Sequence, residues 1–194
     1  MSPSHGMHRE LPAGWTRAKL GDLLVFEYGS ALPARSRDES GKVPVYGSSG
    51  IVGRHTAALT DRACLVVGRK GSVGSVFQVP QPCWPIDTTY FAAPPVGLDL
   101  AYAFHLLSSI GLDRLDRSTA VPGLNRNDAY EVALPLPPLP EQRRLVARIE
   151  ELFTRLDAGV AALERAQALL ERYRQSVLKE AFEGRLTAAW REAH

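Results

Sequence analysis

A chain of 194 residues with 45% hydrophobic and 23% charged side chains has the balance of an ordinary globular protein, which excludes wholesale disorder. The net charge of +2 is too small to name a partner, and no apolar run approaches the roughly 18 residues that a membrane span needs. Two cysteines, Cys64 and Cys83, exclude a disulfide framework and fit a reducing cytoplasm.

In chain order, residues 1–10 are polar, carry His5 and His8, and lack the apolar core of a signal peptide. They read as a disordered leader. From residue 11, strands are predicted over residues 23–28, 63–67, 73–79, 88–92 and 132–136. Residues 100–110 read as a helix, with Leu100, Phe104 and Leu107 at spacings of four and three. Composition then changes near residue 139. Fourteen of the 16 glycines lie before it, and Pro140 is the one proline of 14 that lies after it. The expected fold class is therefore α+β. A small mixed α/β globular domain over residues 11–138 is followed by a long coiled-coil helix within residues 139–194.

The second part carries the more specific pattern. Pro140 suits the first turn of a helix, where its missing N–H costs nothing, and Glu141 suits the positive end. Ile149, Leu156, Leu163, Leu170 and Val177 then fall on one heptad position. Leu145, Leu152, Gly159, Ala166 and Tyr173 fall on its companion. A period of seven held this long is the mark of a left-handed coiled coil, and Gly184 is a fitting stop. From residue 140 to 182 such a helix is about 65 Å long at about 1.5 Å per residue. That length cannot bury its apolar stripe against a small domain and stay straight, so a second long helix is expected. Ile149, Leu152, Leu156, Leu163, Leu170, Tyr173 and Val177 are the candidate pairing residues. The plainer alternative is one surface helix lying on its own domain.

In the first part, residues 31–76 hold seven Lys/Arg against three Asp/Glu, the place where a polyanion would be met. Residues 68–74, Gly-Arg-Lys-Gly-Ser-Val-Gly, fit neither a P-loop nor a dinucleotide fingerprint. They read instead as a glycine-flexed loop that carries Arg69, Lys70 and Ser72 to phosphates or base edges. An ordinary hairpin with solvated cations is the alternative. A second loop has Tyr46, Ser48 and Ser49, followed by Arg54 and His55, and a third has Asn125 and Arg126. Three loops bearing such donors in one small domain favour a nucleic-acid surface.

Catalysis finds little support. Ser72, Ser118, His55 and His105 show no nucleophile elbow or triad spacing. Cys64, Cys83, His55 and His105 lack the paired spacing of a zinc site. No cofactor, metal or catalytic residue is expected.

At this point the residues resemble a known family, the specificity subunits of type I restriction–modification systems, in a half-size form. The likeness begins at residues 11–15, Leu-Pro-Ala-Gly-Trp, and continues through residues 20–23, 44–53, 68–74 and 85–90. Its most specific part is the order of the Leu-Pro-Pro-Leu-Pro-Glu-Gln hinge at residues 136–142, the helix, and Ala-Phe-Glu-Gly-Arg-Leu-Thr at residues 181–187. The resemblance implies a target-recognition domain that reads double-stranded DNA and a helix that sets spacing and docks methyltransferase (modification) subunits. Those partners would bind S-adenosylmethionine and methylate adenine, and restriction subunits using ATP would join them. This chain would itself be non-catalytic and cytoplasmic. Family members usually carry two recognition domains and two long helices, whereas one of each is present here. A homodimer paired antiparallel would restore a bipartite palindromic target. A reading from another class is a coiled-coil interaction protein whose head binds a protein partner, in which case binding would be insensitive to salt.

Overall fold

The computed structural model describes residues 11–115 and 123–194. The disorder expected of residues 1–10 lies outside them, as does Ser118. Two units can be distinguished, residues 1–146 and 147–194.

The first unit is organised around a strand with no polar side chain. β5 (Cys64–Gly68) is buried along its whole length, because it lies inside a four-stranded sheet and is covered on both faces. Its neighbours are β8 (Thr89–Ala92) and β6 (Val76–Val79), both antiparallel to it, and β2 (Glu27–Tyr28) pairs on the far side of β8. Strand alternation divides the apolar residues between two clusters. Leu65, Val67, Tyr90 and Ala92 face the larger core, and Cys64, Val66, Phe91 and Val79 face a smaller one.

Over the larger face lies α2 (Leu100–Ser109), which buries Tyr102, Ala103 and Leu107. Its start is fixed by Asp99, whose Oδ1 accepts from the Ala101 N–H (3.0 Å) and the Tyr102 N–H (3.1 Å). The smaller cluster is walled by Tyr46 of the hairpin β3 (Val43–Gly47) and β4 (Gly50–His55). That hairpin forms a three-stranded sheet with β7 (Trp84–Pro85). A two-stranded ribbon joins β1 (Thr16–Lys19) to β9 (Ala133–Leu136).

Four local expectations need correction. Residues 23–28 are not one strand: α1 (Leu20–Leu23) occupies the start, and only β2 pairs. The Asp22 carboxylate accepts from the Lys19 N–H and closes that first turn. The strand expected over residues 73–79 begins at Val76, because Gly71 and Gly74 hold positive φ angles of 79° and 77° in a turn. The second loop is largely β3 and β4, so Tyr46, Arg54 and His55 stand on strands. The third begins a short helix, α3 (Arg126–Tyr130), capped by Asn125. The other predicted strands and the helix over residues 100–110 match β5, β8, β9 and α2 to within about one residue.

α4 (Leu139–Phe182) is one unbroken helix of 44 residues. Its first turns belong to the first unit, where Gln142 is only 1% exposed. The Gln142 amide donates to the Gly97 carbonyl (3.0 Å) and the Pro137 carbonyl (2.9 Å), and its oxygen accepts from the Asp99 N–H (2.8 Å). One side chain thereby ties the hinge, the α2 cap and the helix start together. In the second unit α4 ends before Gly184, which takes a left-handed φ of 73°. A short α5 (Ala188–Ala193) follows. No described helix is long and apolar enough to cross a membrane.

Candidate nucleic-acid interface

The sequence separates the three donor-bearing turns by tens of residues, and hydrogen bonds between the loops bring them side by side. The Ser75 hydroxyl lies within hydrogen-bond reach of the Ser48 and Ser72 carbonyl oxygens, linking the β3–β4 turn to the β5–β6 loop. A left-handed φ at Gly71 and Gly74, and close backbone at Gly74, favour glycine there. A Cβ on Gly71 would stand 3.0 Å from Ser48 Oγ, and one on Gly74 would stand 2.4 Å from the Asp113 nitrogen. On the other side, Lys70 bridges Gly123, and the Leu124 N–H donates to the Arg69 carbonyl (2.9 Å). Ser48, Ser49, Arg69, Lys70, Ser72, Asn125 and Arg126 thus come from three adjacent segments.

Within this group the side chains differ in freedom. Ser49, Lys70 and Ser72 are exposed and Ser48 is half-buried. The Asn125 side-chain oxygen is engaged, accepting from the Asn127 N–H (2.9 Å) as the α3 cap. The Arg69 Nη2 donates to the Asp87 carbonyl (2.7 Å), and the Arg126 Nη1 donates to the Phe26 carbonyl (3.2 Å).

Three predicted residues lie elsewhere. Arg54 and His55 sit at the opposite end of β4, paired with Pro44 and Val43, about 16 Å along the strand from Gly50. Arg54 is exposed, but the His55 Nδ1 accepts from the Asp38 N–H (3.3 Å) and its ring meets Trp84 edge-on at 5.4 Å. Tyr46 packs against Phe77 (5.9 Å) beside the small core, and burial raises its phenol above the ordinary value. The basic segment is therefore divided in space. Arg37 within it is spent on structure, donating to the Leu32 and Val52 carbonyls.

Tyr28 escaped the sequence reading. It is 55% exposed, its ring lies 5.0 Å from that of Tyr90, and the Arg69 and Arg126 guanidiniums lie near it. The Arg69 Cζ stands 5.3 Å from its centroid and the Arg126 Cζ 5.4 Å, within cation–π range. Burial pushes the Tyr90 phenol up to about 12, while the two guanidiniums pull the other way. One faint signal exists in the sequence: Phe26 and Tyr28 alternate, so they share a face, and the second falls where the first core ends.

The described residues contain no cluster of potential metal ligands. Cys64 and Cys83 are buried with sulfurs 3.8 Å apart. In the second unit the candidate pairing residues Leu152, Leu156, Leu163, Leu170, Tyr173 and Val177 are exposed, and Ile149 is half-buried. Leu163 is 72% exposed.

A family model described as the type I restriction modification DNA specificity domain matches residues 12–165. The EcoDI specificity subunit of Escherichia coli is 42% identical over 73 residues, 38% of this chain and 16% of that protein. The EcoprrI specificity subunit of Escherichia coli is 23% identical over 168 residues, 84% of this chain and 42% of that one. Among solved structures, the HsdS subunit from Thermoanaerobacter tengcongensis superposes with a TM-score of 0.66 at 25% identity, covering 94% of this chain and 48% of its own. A chain from a type I R-M assembly shares the fold with a TM-score of 0.74 at 23% identity, covering 91% of this chain and 48% of that one. The chain therefore spans about half the length of these solved relatives. With the family model covering most of its residues, the chain belongs to the family of type I restriction–modification specificity subunits.

Proposed function

We propose that this chain is the DNA-recognition element of a type I restriction–modification complex, directing adenine methylation, and restriction where such subunits join, by its partners. The observation that carries this is the convergence of three turns bearing Ser48, Lys70, Ser72 and Arg126 on one surface of a domain in this family. A turn presents main-chain N–H groups and short polar side chains together, the donors that phosphates and base edges accept. In this reading S-adenosylmethionine and ATP are bound by the partner subunits, and this chain supplies recognition alone.

The helix supports the rest of the proposal. An apolar stripe from Leu152 to Val177 is exposed on α4. A second copy, paired antiparallel, covers it with the same stripe and gives two heads for a bipartite palindromic site. The same helices then dock the methyltransferase subunits.

Titration of a duplex at increasing salt tests the DNA reading. Phosphate contacts release counterions, so affinity is expected to fall along a straight line on logarithmic axes. Binding that ignores salt would instead favour a protein partner for the head. Methylome sequencing of cells that carry the chain with its methyltransferase then reads the target.

A further inference from the structure

We infer that Arg69 and Arg126, both held against the Tyr28 ring, form a two-guanidinium clamp for one phosphodiester of the bound DNA backbone. The inference rests on the DNA reading above and adds which contact this pair makes. Two full positive charges stand within 5.4 Å of the same ring centroid. Among the described residues neither forms an ion pair with a carboxylate. Asp87 meets Arg69 through its main-chain carbonyl. Two cations so arranged repel each other, and an anion between or beside them relieves the repulsion.

The geometry favours a phosphate over a base. Reading guanine takes a guanidinium that projects into the groove with a free fork of donors. Arg69 does not project. One of its Nη groups is committed to Asp87, its plane is held near Tyr28 and Tyr90, and its Nε is buried with no hydrogen-bond partner. Arg126 is likewise fixed by the Phe26 carbonyl and lies near Tyr28 and Tyr130. Guanidiniums fixed by carbonyls and aromatic walls keep several N–H groups for one charged acceptor, and a phosphodiester offers two equivalent oxygens. Tyr28 is then a positioning residue: its ring holds both cations in place. Base reading passes to the unencumbered tips, Ser49, Lys70 and Ser72.

The test is a salt titration of the full chain, wild type against Arg69→Gln, Arg126→Gln and the double variant, on the mapped target and on a random duplex. The double variant is expected to lose about one unit of the log–log salt slope. Its affinity should fall roughly tenfold, equally on both duplexes, as for a charge-assisted contact to one phosphate. An unchanged slope overturns the clamp, and so does a loss confined to the mapped target, which would make the pair a base reader. Should the variants fail to fold, the wild-type chain still decides. On targets carrying one neutral methylphosphonate at each position in turn, some single position must cost it roughly tenfold, and no such position overturns the clamp. A wild-type chain with no salt-dependent binding at all overturns the DNA reading itself, whereas full binding with the slope kept in the variants overturns the clamp alone.

Discussion

The two units use apolar residues in opposite ways. In the first, Leu65, Val66, Val67, Phe26 and Leu107 are sealed inside, and the large hydrophobic residues left outside, Val25, Tyr28, Ile51, Leu59 and Val96, are scattered along the sequence. In the second, Leu152, Leu156, Leu163, Leu169, Leu170 and Tyr173 lie open along the part of α4 from residue 147 on, where no residue is buried. Hydrophobic surface left in water is costly at roughly 25 cal/mol per Å², so a stripe of this length is the surface that the proposed function assigns to a partner. One unit covers its hydrophobic residues itself, and the other leaves them open. Under the proposed function the comparison separates recognition, which needs a fixed surface, from assembly, which needs an uncovered one.

The largest expected effect tests whether the stripe is an interface. Leu163→Asp sets a carboxylate in the apolar seam of the proposed pair, once from each copy. Dimer affinity is expected to fall more than about 100-fold, beyond about 2.7 kcal/mol. Light scattering should then report a monomer, while thermal melting of the head stays unchanged, because Leu163 contributes nothing to its core. A stable dimer in Leu163→Asp would place the interface off this stripe.

A smaller effect tests whether the head is self-sufficient at the point where the helix leaves it. Gln142→Leu keeps the volume roughly and removes three hydrogen bonds, to Gly97, Pro137 and Asp99. The Pro137 carbonyl loses its partner in a buried place and the Asp99 N–H and Gly97 carbonyl lose theirs in partly buried ones, at about 1–3 kcal/mol. The head's melting temperature should drop, while the pairing of the helices is untouched. Equal stability in this variant would mean that water replaces the amide. Gln142 stands in the most specific part of the family resemblance, the Pro-Glu-Gln hinge, and its burial supplies a physical reason for an amide there.

These two sites also show what a sequence exposes to reading. β5 was legible because five consecutive residues without polar side chains can only be a doubly covered strand or buried helix, and Gly68 ends the run. α4 was legible because its pattern is carried by its own residues at a period of seven. β1 was missed because Thr16–Lys19 is a strand held by backbone pairing to β9, with no apolar alternation to declare it. The hairpin β3–β4 was hidden by its own turn, since glycines at 47, 50 and 53 drew attention from Val43 and Val45. The candidate site was half legible. Its donors advertise themselves, but Tyr28 matters through Arg69 and Arg126, 41 and 98 residues away, and no local pattern records such a meeting. For the same reason Arg54 and His55, near Ser48 in sequence, stand at the other end of the strand.

The smallest energetic effect carries the most about function, because it changes length and leaves packing in phase. Deleting residues 159–165 removes one heptad, so Leu156 and Leu170 remain on the same stripe and the seam continues. Gly159 and Leu163 go, and with them about one layer of contacts from each copy. Pairing should survive, with the head folded as before. The helix shortens by about 10 Å at about 1.5 Å per residue, and in an antiparallel pair the two heads approach by that amount. On B-form DNA this is roughly three base pairs at about 3.4 Å each. With the half-sites read by the turns around Lys70, as proposed, they should not change, while the nonspecific spacer between them should shorten by about three base pairs. Three base pairs also rotate one half-site against the other by roughly a third of a helical turn, so activity is expected to fall even as the preferred spacer shifts. Methylome mapping of the deletion variant reads both quantities at once. An active variant that keeps the original spacer would mean that the heads are set apart by something other than the length of α4.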